Sequence, residues 1–241
     1  MNRHVPLHDD STGGKGTSAR GTKLPSERPG QPGGRRDTNR RERTKALSDA
    51  AIALFLARGI EAVTIEDITA TAGVAKGSFY RYFDDKVALV EALFAPVAAN
   101  VLAAFDASIA TLRDARTRDA AFASYESIGE ALGRVILHNG DVVQLYLQEC
   151  RAPAEGARAP ARRLADFVAE KAIEHTRLAR QHGLLRDFPA EVSSLTVIGA
   201  AERILFSLLN GDFKGEPLEV PGQLIELILD GLRAPDRGGH D

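Results

Sequence analysis

The chain has 241 residues, 44% of them apolar and 27% charged, with one cysteine and no tryptophan. That composition suits a soluble globular protein of one or two helix-rich domains, and it excludes an internal disulfide framework or a cysteine-built metal cluster. The net charge of −2 conceals an asymmetry: residues 1–45 carry eleven Lys or Arg against five Asp or Glu, a net of +6, and the remainder carries 20 against 28, a net of −8.

Such a dipole orients a molecule on a polyanion, although charged tails also keep proteins soluble. Residues 1–39, with seven Gly and four Pro, bury too little apolar surface to offset ordering entropy. They read as a disordered basic tail. They contain no apolar secretory core, and no run of about 18 uncharged apolar residues occurs along the chain, so no membrane span is expected. The expected location is cytoplasmic.

Helical periodicity begins at Arg40. Leu47, Ala51, Leu54 and Phe55 share one stripe of a first helix that stops at Arg58-Gly59. Thr64 to Phe83 then reads TIEDITATAGVAKGSFYRYF. Thr64 is a good N-cap, and Asp67 supplies an acidic variant of the capping box. Ile65 and Ile68 face inward, Gly73 permits a sharp turn, and Val74 plugs the corner. A second short helix, Ala75 to Tyr82, carries Lys76, Gly77, Ser78, Tyr80 and Tyr82. A cation, small donors and two phenols suit a DNA phosphate backbone with base edges between the phosphates.

Asp84-Asp85 open a fourth helix bearing Val87, Leu89, Val90, Leu93 and Phe94, which Pro96 should kink or divide. Helices are then predicted over Asp119 to His138, Asp141 to Cys150, Pro160 to His182, Pro189 to Asn210 and Pro221 to Leu232, with a frayed end at 235–241. No β-type alternation occurs. On the Pro189 helix, Val197, Ala201, Ile204 and Leu208 form one apolar stripe, and Leu195, Ile198, Leu205, Phe206 and Leu209 form another. Together they cover more of the circumference than one-sided packing needs. Either a second copy of the chain covers the surplus, or the helix is sunk in its own bundle.

Other chemistry is sparse. Cys150 reads as a small buried hydrophobe more readily than as a redox sensor. His175 and His182 share a helix face without a third ligand, so no metal site is expected. Ser193-Ser194 and Asp166 make no nucleophile arrangement, so no catalytic residue is assigned.

From Leu47 to Phe94 the chain resembles the DNA-binding domain of the TetR family of transcriptional regulators. Phe55 and Gly59, Thr64, Ala72-Gly73-Val74, the stretch Gly77 to Phe83, and Lys86 carry the resemblance. Two positions depart from the pattern. Ala75 replaces the usual Ser or Thr cap, costing roughly 0.5–2 kcal/mol of local helix stability. Thr69 replaces a usual Ala where helices approach closely.

The resemblance implies an all-α protein with a three-helix helix-turn-helix head over residues 40–84 and a helical effector-binding and dimerisation body over 85–234. It places Lys76 and Gly77 near bases and Thr64, Ser78, Tyr80, Tyr82 and Lys86 on phosphates. It implies an effector pocket in the body, for which Tyr125, His138, Tyr146, Gln148 and Glu149 are candidates. Its dimer interface falls on the last two helices, at Leu195, Ile198, Leu205, Phe206, Leu209, Leu224 and Ile228. The expected partners are a palindromic double-stranded operator, a second copy of the chain and an unknown small-molecule effector, with no cofactor and no membrane. The expected function is a ligand-released repressor; the rivals are an activator or co-regulator, and a helical enzyme reusing the scaffold.

Overall fold

The structure is a computed structural model that describes residues 34–115, 117–185, 187–216, 219–220, 222–224 and 226–227. The protein is all-α: among the described residues the elements are eight α-helices and a one-turn 3-10 helix, Gly156–Arg158. Contacts divide the chain into a unit of residues 1–39 and a unit of residues 40–241, the boundary falling inside the first helix.

Helix α1, Arg35–Arg58, begins five residues inside the segment read as a disordered tail. The rest of that segment, residues 1–33, lies outside the described residues. Leu47, Ala50, Ala51 and Phe55 bury one face of α1, and Ile60 and Val63 close the loop that follows. Helix α2, Ile65–Thr71, has the predicted capping box: the Asp67 amide donates to Thr64 Oγ1 at 3.1 Å, and the Thr64 amide donates to Asp67 Oδ2 at 2.9 Å. The Thr64 amide, and then the Thr64 hydroxyl donating to Oδ2 at 2.9 Å, hold the Asp67 carboxyl below its ordinary range. Thr69, buried where Ala was expected, fits by donating its hydroxyl to the Glu66 carbonyl at 3.1 Å.

The turn after α2 is a Schellman motif. The Gly73 amide donates to Ala70 O and the Val74 amide to Thr69 O, with Gly73 at φ +66°. A side chain at that backbone angle would be strained, which explains the glycine. Helix α3 is shorter than predicted, only Lys76–Phe79, and its cap Ala75 makes no side-chain bond. The chain then tightens, with the Tyr82 and Phe83 amides both donating to the Phe79 carbonyl. An uncapped helix containing Gly77 has no intrinsic stability beyond one turn.

Helix α4, Lys86–Asp114, is capped by Asp85, whose Oδ1 accepts from the Ala88 amide at 2.8 Å. Of the kink or division expected at Pro96, the division does not occur; α4 is continuous through it. Leu93, Phe94, Val97, Val101 and Phe105 stay buried on both sides of the proline, which itself faces solvent. That continuous burial outweighs the roughly 3 kcal/mol of a helix-interior proline.

Around α4 lie α5 (Arg118–His138) and α7 (Ala159–Gln181); α6 (Gly140–Glu149) and α8 (Ala190–Leu209) pack on each other and on this core. Pro160 sits in the first turn of α7 as predicted. Part of the helix predicted over Pro221 to Leu232, including Ile228, lies outside the described residues; residues 222–224 and 226–227 are helical.

Candidate nucleic-acid interface and effector region

The face presented by α3 is exposed and polar over an aromatic anchor. Phe79 is fully buried, meeting Phe83 at 5.6 Å and Tyr80 edge-on at 5.5 Å between ring centroids. With Phe79 turned inward, Tyr80 is 52% exposed, and Lys76, Gly77 and Thr64 are exposed beside it. Ser78 is half-buried, and its Oγ accepts from Arg81 Nη2 at 2.8 Å. Arg81 is an exposed cation on this surface that the sequence reading passed over, although its i, i+3 spacing from Ser78 signals the contact. Lys76 is bonded to Glu66 on α2, which raises the pKa of the ammonium and lowers that of the carboxyl. Both groups are exposed, so the pair is screened and yields readily to a stronger anion.

Two other predicted residues lie elsewhere. Tyr82 is half-buried and packs on the core. Lys86 turns inward, its ammonium donating to the carbonyls of Ile60 and Val63, each at 2.9 Å. It ties the α1–α2 loop to α4 instead of reaching outward.

The five effector candidates each make separate contacts. His138 is exposed, with Nδ1 2.7 Å from the Arg134 carbonyl oxygen. Tyr146 donates to Glu202 Oε1 at 2.7 Å, and Gln148 donates to the Phe55 carbonyl at 3.3 Å. Glu149 is buried and accepts from the Ile60 amide. Tyr125 packs edge-on against His175 at 4.6 Å, and its buried hydroxyl has no hydrogen-bond partner among the described residues.

What the fold does assemble is a polar knot between α4, α5 and α7. Ser108 Oγ lies 2.8 Å from His175 Nε2, 3.1 Å from Ser124 Oγ and 2.9 Å from the Ser124 carbonyl oxygen, all of it buried. Sequence reading saw His175 only as half of a doubtful metal pair; the partners come from helices far away in sequence. Burial lowers the His175 pKa to about 4, so the ring is neutral at pH 7.

The sign follows from linkage. The unfolded chain takes up a proton near pH 6.5 that the native ring refuses until about pH 4, so stability falls as pH drops through that window. Between pH 7 and 5.5 the wild type is expected to lose about 1 kcal/mol more than His175→Gln. Urea denaturation of both proteins at the two pH values measures the difference; equal losses would refute the buried neutral ring.

Farther along the same two helices, α4 and α7 form an open groove of about 280 Å³, lined by Phe94, Ala98, Leu164 and Phe167 and edged by an Arg163–Glu91 ion pair at 2.5 Å. Cys150 is buried, and burial followed by the nearby Glu202 charge pushes its thiol up to about 11, which does not suit a redox sensor. No group of three metal-ligating side chains occurs among the described residues.

Helix α8 exposes apolar side chains. Helices α4 and α8 are long and apolar enough to cross a membrane by length and composition; α4 packs in the core, and the apolar window of α8 is 11% buried. Val192 and Leu195 are about half exposed, Ile198 and Phe206 are half-buried, and Leu205 and Leu209 pack partly on their own core. Leu224, in the short stretch beyond α8, is half-buried. Mid-helix, Glu202 accepts from Tyr146 and from Arg151 Nη2 at 2.8 Å, a polar anchor poorly suited to lipid.

A capped helix, a Schellman turn and a one-turn helix that buries Phe79 while exposing Tyr80 define a helix-turn-helix protein, here joined to a helical body. Residues 47–93 match the family model described as bacterial regulatory proteins, tetR family. It is 30% identical over 109 residues to the HTH-type transcriptional repressor KstR2 of Rhodococcus jostii, covering 44% of this chain and 53% of that protein. The KstR2 repressor of Mycolicibacterium smegmatis is 38% identical over 63 residues, covering 26% of this chain and 27% of the relative. The chain thus matches about half or less of the length of these curated relatives.

Solved structures share the fold. The ketosteroid transcriptional regulator KstR2 of Mycobacterium tuberculosis superposes with a TM-score of 0.59 at 19% identity, covering 80% of this chain and 95% of that one. The fatty acid degradation regulator FadR of Bacillus halodurans gives 0.60 at 16% identity, covering 79% and 96%.

Proposed function

We propose that the protein is a DNA-binding transcriptional repressor that acts as a homodimer and is released from a palindromic operator by a small apolar effector. The observation that carries this reading is the α3 face: Phe79 is locked inside, so Lys76, Gly77 and Tyr80 are presented on a rigid base, as a groove-reading helix requires. Thr64, Ser78 and Arg81 flank them as phosphate ligands. Helix α8 supports the dimer, because its exposed Val192 and Leu195 extend an apolar stripe that one chain leaves open. The head is residues 40–84 and the body 85–234.

The α4–α7 groove favours an effector that is mostly apolar. The names of the regulators similar to this chain, which point to ketosteroids and fatty acid degradation, fit that class. Repression is preferred to activation because the curated relatives are named repressors. The location would be the cytoplasm.

Mobility shift with an operator selected from random DNA tests the docking. Tyr80→Ala should weaken specific binding by more than about 1 kcal/mol, and the combination with Lys76→Ala by more. Full binding by the double variant would remove α3 from the groove.

A further inference from the structure

The loop joining α1 to α2 is gripped by the body from two sides. On one, the Lys86 ammonium donates to the carbonyls of Ile60, Val63 and Glu61. On the other, Glu149 at the end of α6 accepts the Ile60 amide on Oε1 at 3.0 Å and the Arg158 Nε–H on Oε2 at 3.1 Å. The Arg158 amide in turn donates to Glu61 Oε1 at 3.2 Å. The approach is close. A Cβ on Gly59 would stand 3.3 Å from Glu149 Oε1, and one on Gly156 only 2.9 Å from Glu61 Oε1.

Glu149 is 4% exposed. A buried carboxylate persists only when paired and hydrogen-bonded, and such a pair contributes little net stability compared with apolar packing. It contributes direction instead. An apolar contact allows the loop to slide, whereas a carboxylate that accepts a main-chain N–H on one oxygen and a guanidinium N–H on the other fixes the loop in one place.

We infer that Glu149 is a positioning residue that, with Arg158, clasps the α1–α2 loop and sets the orientation of the head relative to the body. On the DNA-binding reading, the clasp also sets the register of the two recognition helices. Arg158 stands two residues before Pro160, which lines the α4–α7 groove. A ligand that displaces the start of α7 draws Arg158 from Glu149 and leaves a buried charge unpaired. Releasing the loop returns that charge to water, so ligand binding and head rotation are coupled through one ion pair.

The test uses full-length protein with spin labels at Thr71→Cys in α2 and Glu170→Cys in α7, both exposed positions. The buried thiol of Cys150 stays unlabelled, and labelled chains are diluted into unlabelled excess to isolate the intrachain distance. The parent should give one narrow distance distribution. Glu149→Ala should broaden or shift it at unchanged helix content. Arg158→Gln should act in the same direction, and the double variant should be no broader than Glu149→Ala alone, because the two residues act as one unit. If Glu149→Ala does not fold, Arg158→Gln carries the test, since its side chain is 26% exposed. In mobility shift the preference for operator over random DNA should fall about tenfold, with random-DNA affinity within about twofold. Folded variants with the parental distance distribution would overturn the clasp. Altered distances with undiminished operator preference would overturn its role in register. Altered distances in a protein whose parent binds no DNA would keep the clasp and defeat the DNA-binding reading.

Discussion

Phe79→Ala is expected to unfold the head and abolish binding to any DNA. Helix α3 is four residues long and has no side-chain cap, so nothing local holds it. Its position comes from one fully buried ring packed on Phe83 in the same core as Phe55, Ile60 and Ile68. Truncating a buried Phe costs about 3–5 kcal/mol, which in a small three-helix head approaches the whole local stability. Tyr80→Ala, one residue away but half exposed, should leave the unfolding midpoint nearly unchanged while weakening operator binding. Chemical denaturation followed by probes in the head, alongside mobility shift, separates the two variants. A Phe79→Ala protein with the wild-type midpoint would refute the account of how α3 is held.

Val192→Glu combined with Leu195→Glu should convert a dimer to a monomer without unfolding the chain. Both side chains are about half exposed in one chain, so a monomer tolerates the charges. In a two-fold interface each substitution occurs twice and places carboxylates against apolar surface, and each unpaired buried charge costs several kcal/mol. Association should weaken by on the order of a thousandfold or more. Leu205→Glu is a less clean probe, because Leu205 also packs on its own core and the body would suffer directly. Sedimentation at micromolar concentration gives the answer. A wild-type protein that is already monomeric there would remove the dimer from the proposal, and with it the palindromic operator.

Much of the head is legible in the chain because its determinants are short-range. The Thr64–Asp67 box, the turn at Gly73 and the inward Ile68 each depend on neighbours within a few residues. The end of α7 before Gly183 and the start of α4 at Asp85 are legible for the same reason. Pro96 does not divide α4, because a breaker is a local signal, whereas the burial that outweighs it, from Leu93 to Phe105, is contributed by α5 and α7. The length of α3 departs from expectation in the opposite sense: the apolar spacing extends to Tyr82, but the uncapped backbone tightens after Phe79.

The candidate sites divide along the same line. Lys76, Gly77 and Tyr80 are readable as an exposed face because Phe79 and Phe83 mark the inward side of one short segment. The roles of Lys86 and Glu149 are not readable: both hold backbone groups of the α1–α2 loop, and for Glu149 and the Ile60 amide the partners stand 89 residues apart. Sequence by itself determined the helical class, the capped turn and the outward tyrosine, since periodicity, caps and glycine angles act over one or two helical turns. Only the tertiary structure decided that Ser108, Ser124 and His175 meet in one buried knot and that Lys86 points inward. It also decided that a buried carboxylate on α6 holds the head. Long-range packing alone selects which polar groups lose water, and each of those must find its partner wherever the fold provides one.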